Sequence, residues 1–187
     1  MNKTFENLID ISIKQFAENG YYGTSLKEIS DELGVKKPSL YNYIGSKEEL
    51  YKICIDSCKE ANNRIIESMN LENLSIRVAL YYFIECYLNE HNHLLRFHIQ
   101  LSFAPKNIDY KVKEYNEHLM DNLTRKLERL YEIHNLKVKK EEFLLVLLIF
   151  ISNELFKHIF SFQEDNIQIN KDEYNKRCYL IMNEIIK

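Results

Sequence analysis

Between Gly34 and Lys47 the chain carries three lysines (Lys36, Lys37 and Lys47) and no acid. Ser39, Tyr41, Asn42 and Tyr43 lie among them. These side-chain types suit duplex DNA. Lysine neutralises phosphate, and serine, tyrosine and asparagine donate to phosphate oxygens. Asparagine can also pair two-pronged with adenine. Lys36, Lys37, Ser39, Tyr41, Asn42, Tyr43 and Lys47 are therefore candidate DNA contacts, with Thr24 and Ser25 at the start of the same stretch.

Such side chains work only if a rigid element presents them. Ser25 followed by Glu28 is a capping box, so a helix starts at Leu26. Leu26, Ile29 and Leu33 share one face of it, and Lys27, Ser30, Asp31 and Glu32 the other. Gly34 stands where a helix commonly ends in positive φ. Val35, Leu40 and Ile44 restart the apolar pattern, and Pro38 fits the first turn of a second helix. Gly45 ends that helix. Ser46 and Glu49 form another capping box, with Lys47 in the first turn beside unpaired N–H groups, a good place to clamp phosphate. The motif over residues 25–44 is thus two short helices joined by a tight turn, the arrangement that places one helix in a major groove. Helix pairs of this kind also occur in proteins that never touch DNA. Helices this short need a packing partner. The helix expected over Lys3–Asn19 supplies one through Phe5, Leu8, Ile9, Ile13, Phe16 and Ala17.

The whole chain has 187 residues, 45% of them apolar, with 4 glycines and 2 prolines. This composition and the helical periodicity predict an all-α protein of about nine helices. A connecting helix runs from Lys47 to about Met69, and Asn70–Asn73 break the pattern. Further helices are expected over about Ser75–Asn89, His91–Phe103, Ile108–His134, Lys140–Phe162 and Lys171–Ile186. The polar N-terminus reads as no signal peptide. The most apolar stretch, Phe143–Ile151, is too short to span a bilayer. A cytoplasmic protein without a membrane partner is the expectation. Net charge is −3. Residues 1–50 hold six lysines against eight acids, so the positive charge is local to the motif and salt dependence should be moderate.

Phe143–Ile151 is apolar on all sides, as in a helix buried all round. A chain of this size has little mass to cover it, and a second copy is the simplest supply. Phe143, Val146, Leu147, Phe150 and, on the last helix, Leu180 are the candidate dimer residues. Cys54 and Cys58, four apart on one helix, could bind a metal or sense oxidants, but they read more simply as packed side chains. His91, His93 and His98 form a loose cluster, with His118, His134 and His158 elsewhere. Their spacing matches no metal signature. No nucleophile elbow, phosphate-binding glycine loop or distinctive carboxylate pair is present, so no enzyme, cofactor or metal is expected.

The segment from Leu8 to Leu50 resembles the N-terminal domain of the TetR family of bacterial transcription regulators. The resemblance rests on F-A-E-N-G-Y-Y-G-T-S, I-S-D-E-L-G-V and S-L-Y-N-Y-I-G-S-K-E-E-L. Lys36, Ile44 and Ser12 depart from the usual serine, phenylalanine and alanine. The resemblance implies a three-helix DNA-binding head, residues 1–62, joined by helix four to a larger helical domain, residues 63–187. It implies that the last two helices build a four-helix dimer interface. It also implies a ligand pocket in the larger domain whose occupancy changes the spacing of the heads. Tyr82, Phe83, Phe97, His98, Phe103, Tyr115 and Asn153 are candidates to line it. The expectation is a homodimeric repressor that binds a palindromic operator in double-stranded DNA and is released by an unidentified small molecule. The alternative is a redox- or metal-responsive regulator using Cys54 and Cys58 or the histidines.

Overall fold

The computed structural model describes residues 3–69, 73–134, 136–160 and 170–185. Every regular element among them is helical. They are α1 (Lys3–Gly23), α2 (Leu26–Glu32), α3 (Lys37–Leu40), α4 (Lys47–Ser68), α5 (Ile76–Asn89), α6 (Asn92–Gln100), α7 (Asp109–His134), α8 (Lys140–Phe160) and α9 (Lys171–Ile185). Two 3-10 turns, Leu101–Phe103 and Lys106–Ile108, join α6 to α7. Of the breaks and ends expected from the sequence, residues 70–72, 161–162 and 186 lie outside the described residues, as does the His158 side chain. No helix among the described residues is long and apolar enough to cross a membrane.

By contacts the chain divides into two compact units. The first is Met1–Asn62 with His93–Leu119, and the second is Asn63–Asn92 with Met120–Lys187. Residues 93–119 thus fold with the N-terminal helices.

In the first unit, α1 ends its regular course at Gly20, whose φ of 67° is left-handed. Leu8, Ile13 and Phe16 of α1, Ile29 of α2, Leu40 and Leu50 are all buried. Phe16 meets Tyr51 edge-on with ring centroids 4.7 Å apart, and Tyr51 meets Phe97 of α6 at 5.4 Å. Ser12, in place of an alanine, is fully buried and donates to the Leu8 carbonyl at 2.6 Å, which satisfies its hydroxyl within the helix. Lys59 pairs with Glu114 at 2.9 Å and Lys111 with Asp56 at 2.6 Å, tying α4 to the start of α7.

In the second unit, α5 packs on α8 and α9. Phe143, Leu147, Phe150 and Ile151 of α8 are buried, with Tyr174 and Cys178 of α9. Tyr174 lies between Phe150 and Tyr81, at 5.7 and 5.2 Å. The nearly buried Glu154 carboxylate accepts a two-pronged pair of bonds from Arg177, at 2.7 and 2.6 Å. A buried carboxylate needs such a partner, since an uncompensated charge there costs several kcal/mol. The helix expected to be apolar on every side is therefore buried along one face only. Leu145 and Ile149 are 60% and 52% exposed.

Candidate nucleic-acid interface

Local chemistry sets the motif's boundaries. The Ser25 hydroxyl accepts from the Glu28 N–H at 3.2 Å, and the Glu28 carboxylate accepts from the Ser25 N–H at 3.0 Å. The Ser25 hydroxyl also lies 2.8 Å from that carboxylate, and its hydrogen bond, then the one from the Ser25 N–H, holds the Glu28 carboxyl below its usual range. At the other end of α2, Val35 N–H donates to the Ser30 carbonyl at 2.9 Å and Gly34 N–H to the Asp31 carbonyl at 3.1 Å. This is the Schellman pattern, which needs its residue in left-handed backbone. Gly34 supplies it, with φ 75°.

Helix α3 is shorter than the pattern suggests. Only Lys37–Leu40 is regular α-helix. Beyond it Tyr41, Asn42 and Tyr43 donate to the carbonyls of Pro38, Ser39 and Leu40, the tighter three-residue spacing. Lys36 occupies the N-cap position and caps no N–H with its side chain. Leu40 and Ile44 anchor the segment to the core. Gly45 N–H then donates to the Glu49 carboxylate at 2.6 Å, and Glu49 N–H to the Ser46 hydroxyl at 3.0 Å. The second cap thus holds the residue before Ser46 rather than Ser46 itself.

On this frame the candidate contacts sort by burial. Lys36, Lys37, Tyr41 and Asn42 are exposed and Ser39 is half-buried. Among the described residues neither Lys36 nor Lys37 is in an ion pair. Tyr43 is half-buried, its ring stacked on Phe5 at 6.0 Å. Lys47 is half-buried too, its ammonium 4.5 Å from the centre of the Tyr21 ring. Burial lowers its pKa, and the Glu28 carboxylate acts the other way. Thr24 faces inward: it is 2% exposed, and its hydroxyl lies 2.8 Å from the Gly20 carbonyl and 3.0 Å from that of Gln15. The Ser25 hydroxyl is likewise engaged by Glu28. Thr24 thus has a structural part that its place in the motif did not reveal, whereas Ser25 makes the cap that its spacing to Glu28 predicts. Lys27 is exposed on α2 and adds a cation that sequence reasoning left on the outer face without a role. Its place in the first turn of the motif's first helix was the available signal, since in helix-turn-helix proteins that helix crosses the DNA backbone.

A stretch matching the family described as "Bacterial regulatory proteins, tetR family" covers residues 8–53. The biofilm operon icaADBC HTH-type negative transcriptional regulator IcaR of Staphylococcus aureus (strain Newman) is 27% identical over 183 residues, 97% of this chain and 98% of that protein. Its Staphylococcus epidermidis counterpart is 26% identical, with the same coverage. Among solved structures, a transcriptional regulator from Aquifex aeolicus VF5 shares the fold with a TM-score of 0.72 and 23% identity, over 95% of this chain and 99% of that one. A Rhodococcus sp. Rha1 regulator shares it with a TM-score of 0.74 at 12% identity, over 98% of each chain. Residues 8–53 thus match the TetR family, and along its length the chain is similar to bacterial transcriptional regulators.

The chain resembles transcriptional regulators, not enzymes. Its expected pocket residues do not all share one unit. Phe97, His98, Phe103 and Tyr115 belong to the first, and Tyr82, Phe83 and Asn153 to the second. Phe97 is core, Phe103 is 70% exposed and Asn153 is exposed. Tyr115 is buried and its hydroxyl accepts from Asn62 at 2.6 Å. Tyr82 and Phe83 border a cavity of about 170 Å³ with Ile65, Met69, Leu74 and Cys86. Cys54 and Cys58 are fully buried, and burial pushes both thiols well up. Thiols held protonated in a core are poor ligands and poor sensors.

Proposed function

We propose that this protein is a homodimeric repressor that reads a palindromic operator and is released by a small molecule. The observation that carries the reading is the outward face of the α3 segment. Lys36, Lys37, Tyr41 and Asn42 stand exposed on a short element pinned from beneath by Leu40 and Ile44. Lys36, Lys37, Tyr41 and Lys47 contact phosphates and Asn42 reads a base edge. Ser39 and Tyr43 lie at the edge of that contact, and Thr24 and Ser25 hold its frame. Residues 1–62 carry the DNA contacts. Residues 63–187 carry the dimer and ligand surfaces.

Dimerisation is supported by an apolar stripe that one copy leaves uncovered. Leu145 and Ile149 recur at helical spacing on α8, and Tyr179 and Leu180 are exposed on α9. Two copies joined there give the two-fold symmetry that half-sites one helical turn apart require. Phe143, Leu147 and Phe150 support that face from behind, with Val146 half-buried at its edge. The effector reading rests on the cavity beside Tyr82 and Phe83, whose lining suits a small, largely apolar molecule. Such a molecule releases the operator if it binds the low-affinity state more tightly. Repression is inferred from the staphylococcal relatives, described as negative regulators.

The test is a gel shift and footprint on DNA flanking the protein's own gene, followed by a genome-wide pull-down. A protected palindrome is expected. Specific binding neither there nor elsewhere in the genome would overturn the proposal.

A further inference from the structure

The last turn of α5 brings three unlike ligands together. Cys86 and Glu90 are four residues apart and so share a helix face. His91 follows where the helix ends. The Cys86 sulfur lies 4.0 Å from a Glu90 carboxylate oxygen, and His91 Nε2 lies 3.9 Å from the same oxygen. One ligand atom from each residue falls within 4.8 Å of the other two. The backbone holds this geometry: the Cys86 carbonyl accepts the N–H groups of both Glu90 and His91, at 3.0 and 3.2 Å.

We propose that Cys86, Glu90 and His91 form a binding site for a divalent transition-metal cation of the zinc or cobalt type. Zinc bonds of about 2.0–2.3 Å at tetrahedral angles place ligand atoms about 3.3–3.6 Å apart. The present separations close to that range by small side-chain rotations, and Glu90, exposed beyond the helix end, is free to make them. A sulfur, a nitrogen and an oxygen together select zinc-like cations over magnesium or calcium, which take oxygen alone. The C-terminal end of a helix carries partial negative charge and attracts a cation. Binding exchanges the Cys86 thiol proton for the metal. Three protein ligands leave a fourth position for water, and solvent reaches the site past Glu90. Neither cysteines paired along one helix nor histidine spacing pointed here. The signal in the sequence is Cys-x-x-x-Glu-His across a helix terminus.

The experiment uses the full chain, reduced and stripped with chelator, and titrated with Co²⁺ and then with Zn²⁺ in competition. The wild type should bind one Co²⁺ per chain with a thiolate-to-cobalt charge-transfer band that Zn²⁺ abolishes. Cys86→Ser should remove the band, and Glu90→Gln and His91→Gln should each weaken Co²⁺ binding about tenfold or more. Melting curves of the metal-free variants establish that they fold, and Glu90 and His91, at the surface, are safe to change. Absence of the band in the wild type overturns the proposal. So does a band that survives in Cys86→Ser, or full affinity in both Glu90→Gln and His91→Gln.

Discussion

Asn42 and Tyr41 are neighbours on one exposed turn, yet their chemistry separates specificity from affinity. A tyrosine hydroxyl on phosphate reads no sequence, whereas an asparagine amide can read adenine. Tyr41→Phe should weaken binding to all DNA by about tenfold, the value of one hydrogen bond to a charged group. Lys36→Ala should do the same and reduce the salt slope by about one. Asn42→Ala should change which operator variants bind best. Gel shifts across an operator library separate the cases, and uniform loss in Asn42→Ala would remove it as a base reader. Thr24 belongs to another class. Thr24→Val should lower stability by about 1–2 kcal/mol through its lost carbonyl bonds, measured by denaturant unfolding, with DNA affinity of the folded protein unchanged. His98 is set by burial as well. Its ring lies against Tyr115 at 5.5 Å, and burial lowers its pKa. A depressed histidine favours folding above its unfolded pKa and opposes it as pH falls below. NMR titration should place it under about 6.5, the usual value, and its part in stability should disappear on acidification.

At the scale of elements, the helix boundaries were legible because short-range chemistry sets them. Ser25 with Glu28, Gly34, Pro38 and Ser46 with Glu49 each act within a few residues, and those signals survive in one sequence. The true length of α3 was not legible. Its apolar spacing at Leu40 and Ile44 suits an α-helix and a tighter turn equally, and Lys36 provides no cap to favour the longer helix. Two changes probe this frame. Ser25→Ala should cost about 1 kcal/mol by removing the cap of α2. Gly34→Ala should cost about 1–2 kcal/mol from left-handed strain alone, because no atom lies within 4 Å of the added methyl. Thermal melts measure both, and a neutral Gly34→Ala would show that the turn can relax.

At the scale of the molecule, the apolar run Phe143–Ile151 announced burial but could not say by what. One face is covered by α5 and α9, and the stripe through Leu145 and Ile149 is not. Periodicity alone could not separate them, since every position there is apolar. Leu145→Glu with Ile149→Glu should leave a folded monomer by sedimentation and lose operator affinity by more than tenfold, since one head then binds alone. A dimer that persists would place the interface elsewhere. The proposed effector pocket was the least legible part, because core and ligand-lining aromatics look alike in sequence. Phe97 is the clearest instance: it seats in the ring cluster of Phe16 and Tyr51.

That seat bears on how such regulators can be recombined. A head cut after residue 62 and grafted onto another sensor would leave Phe16 and Tyr51 facing a hole where Phe97 had been. The transferable piece is discontinuous, and any splice that swaps operator preference between relatives must carry residues 93–119 along or rebuild what they fill.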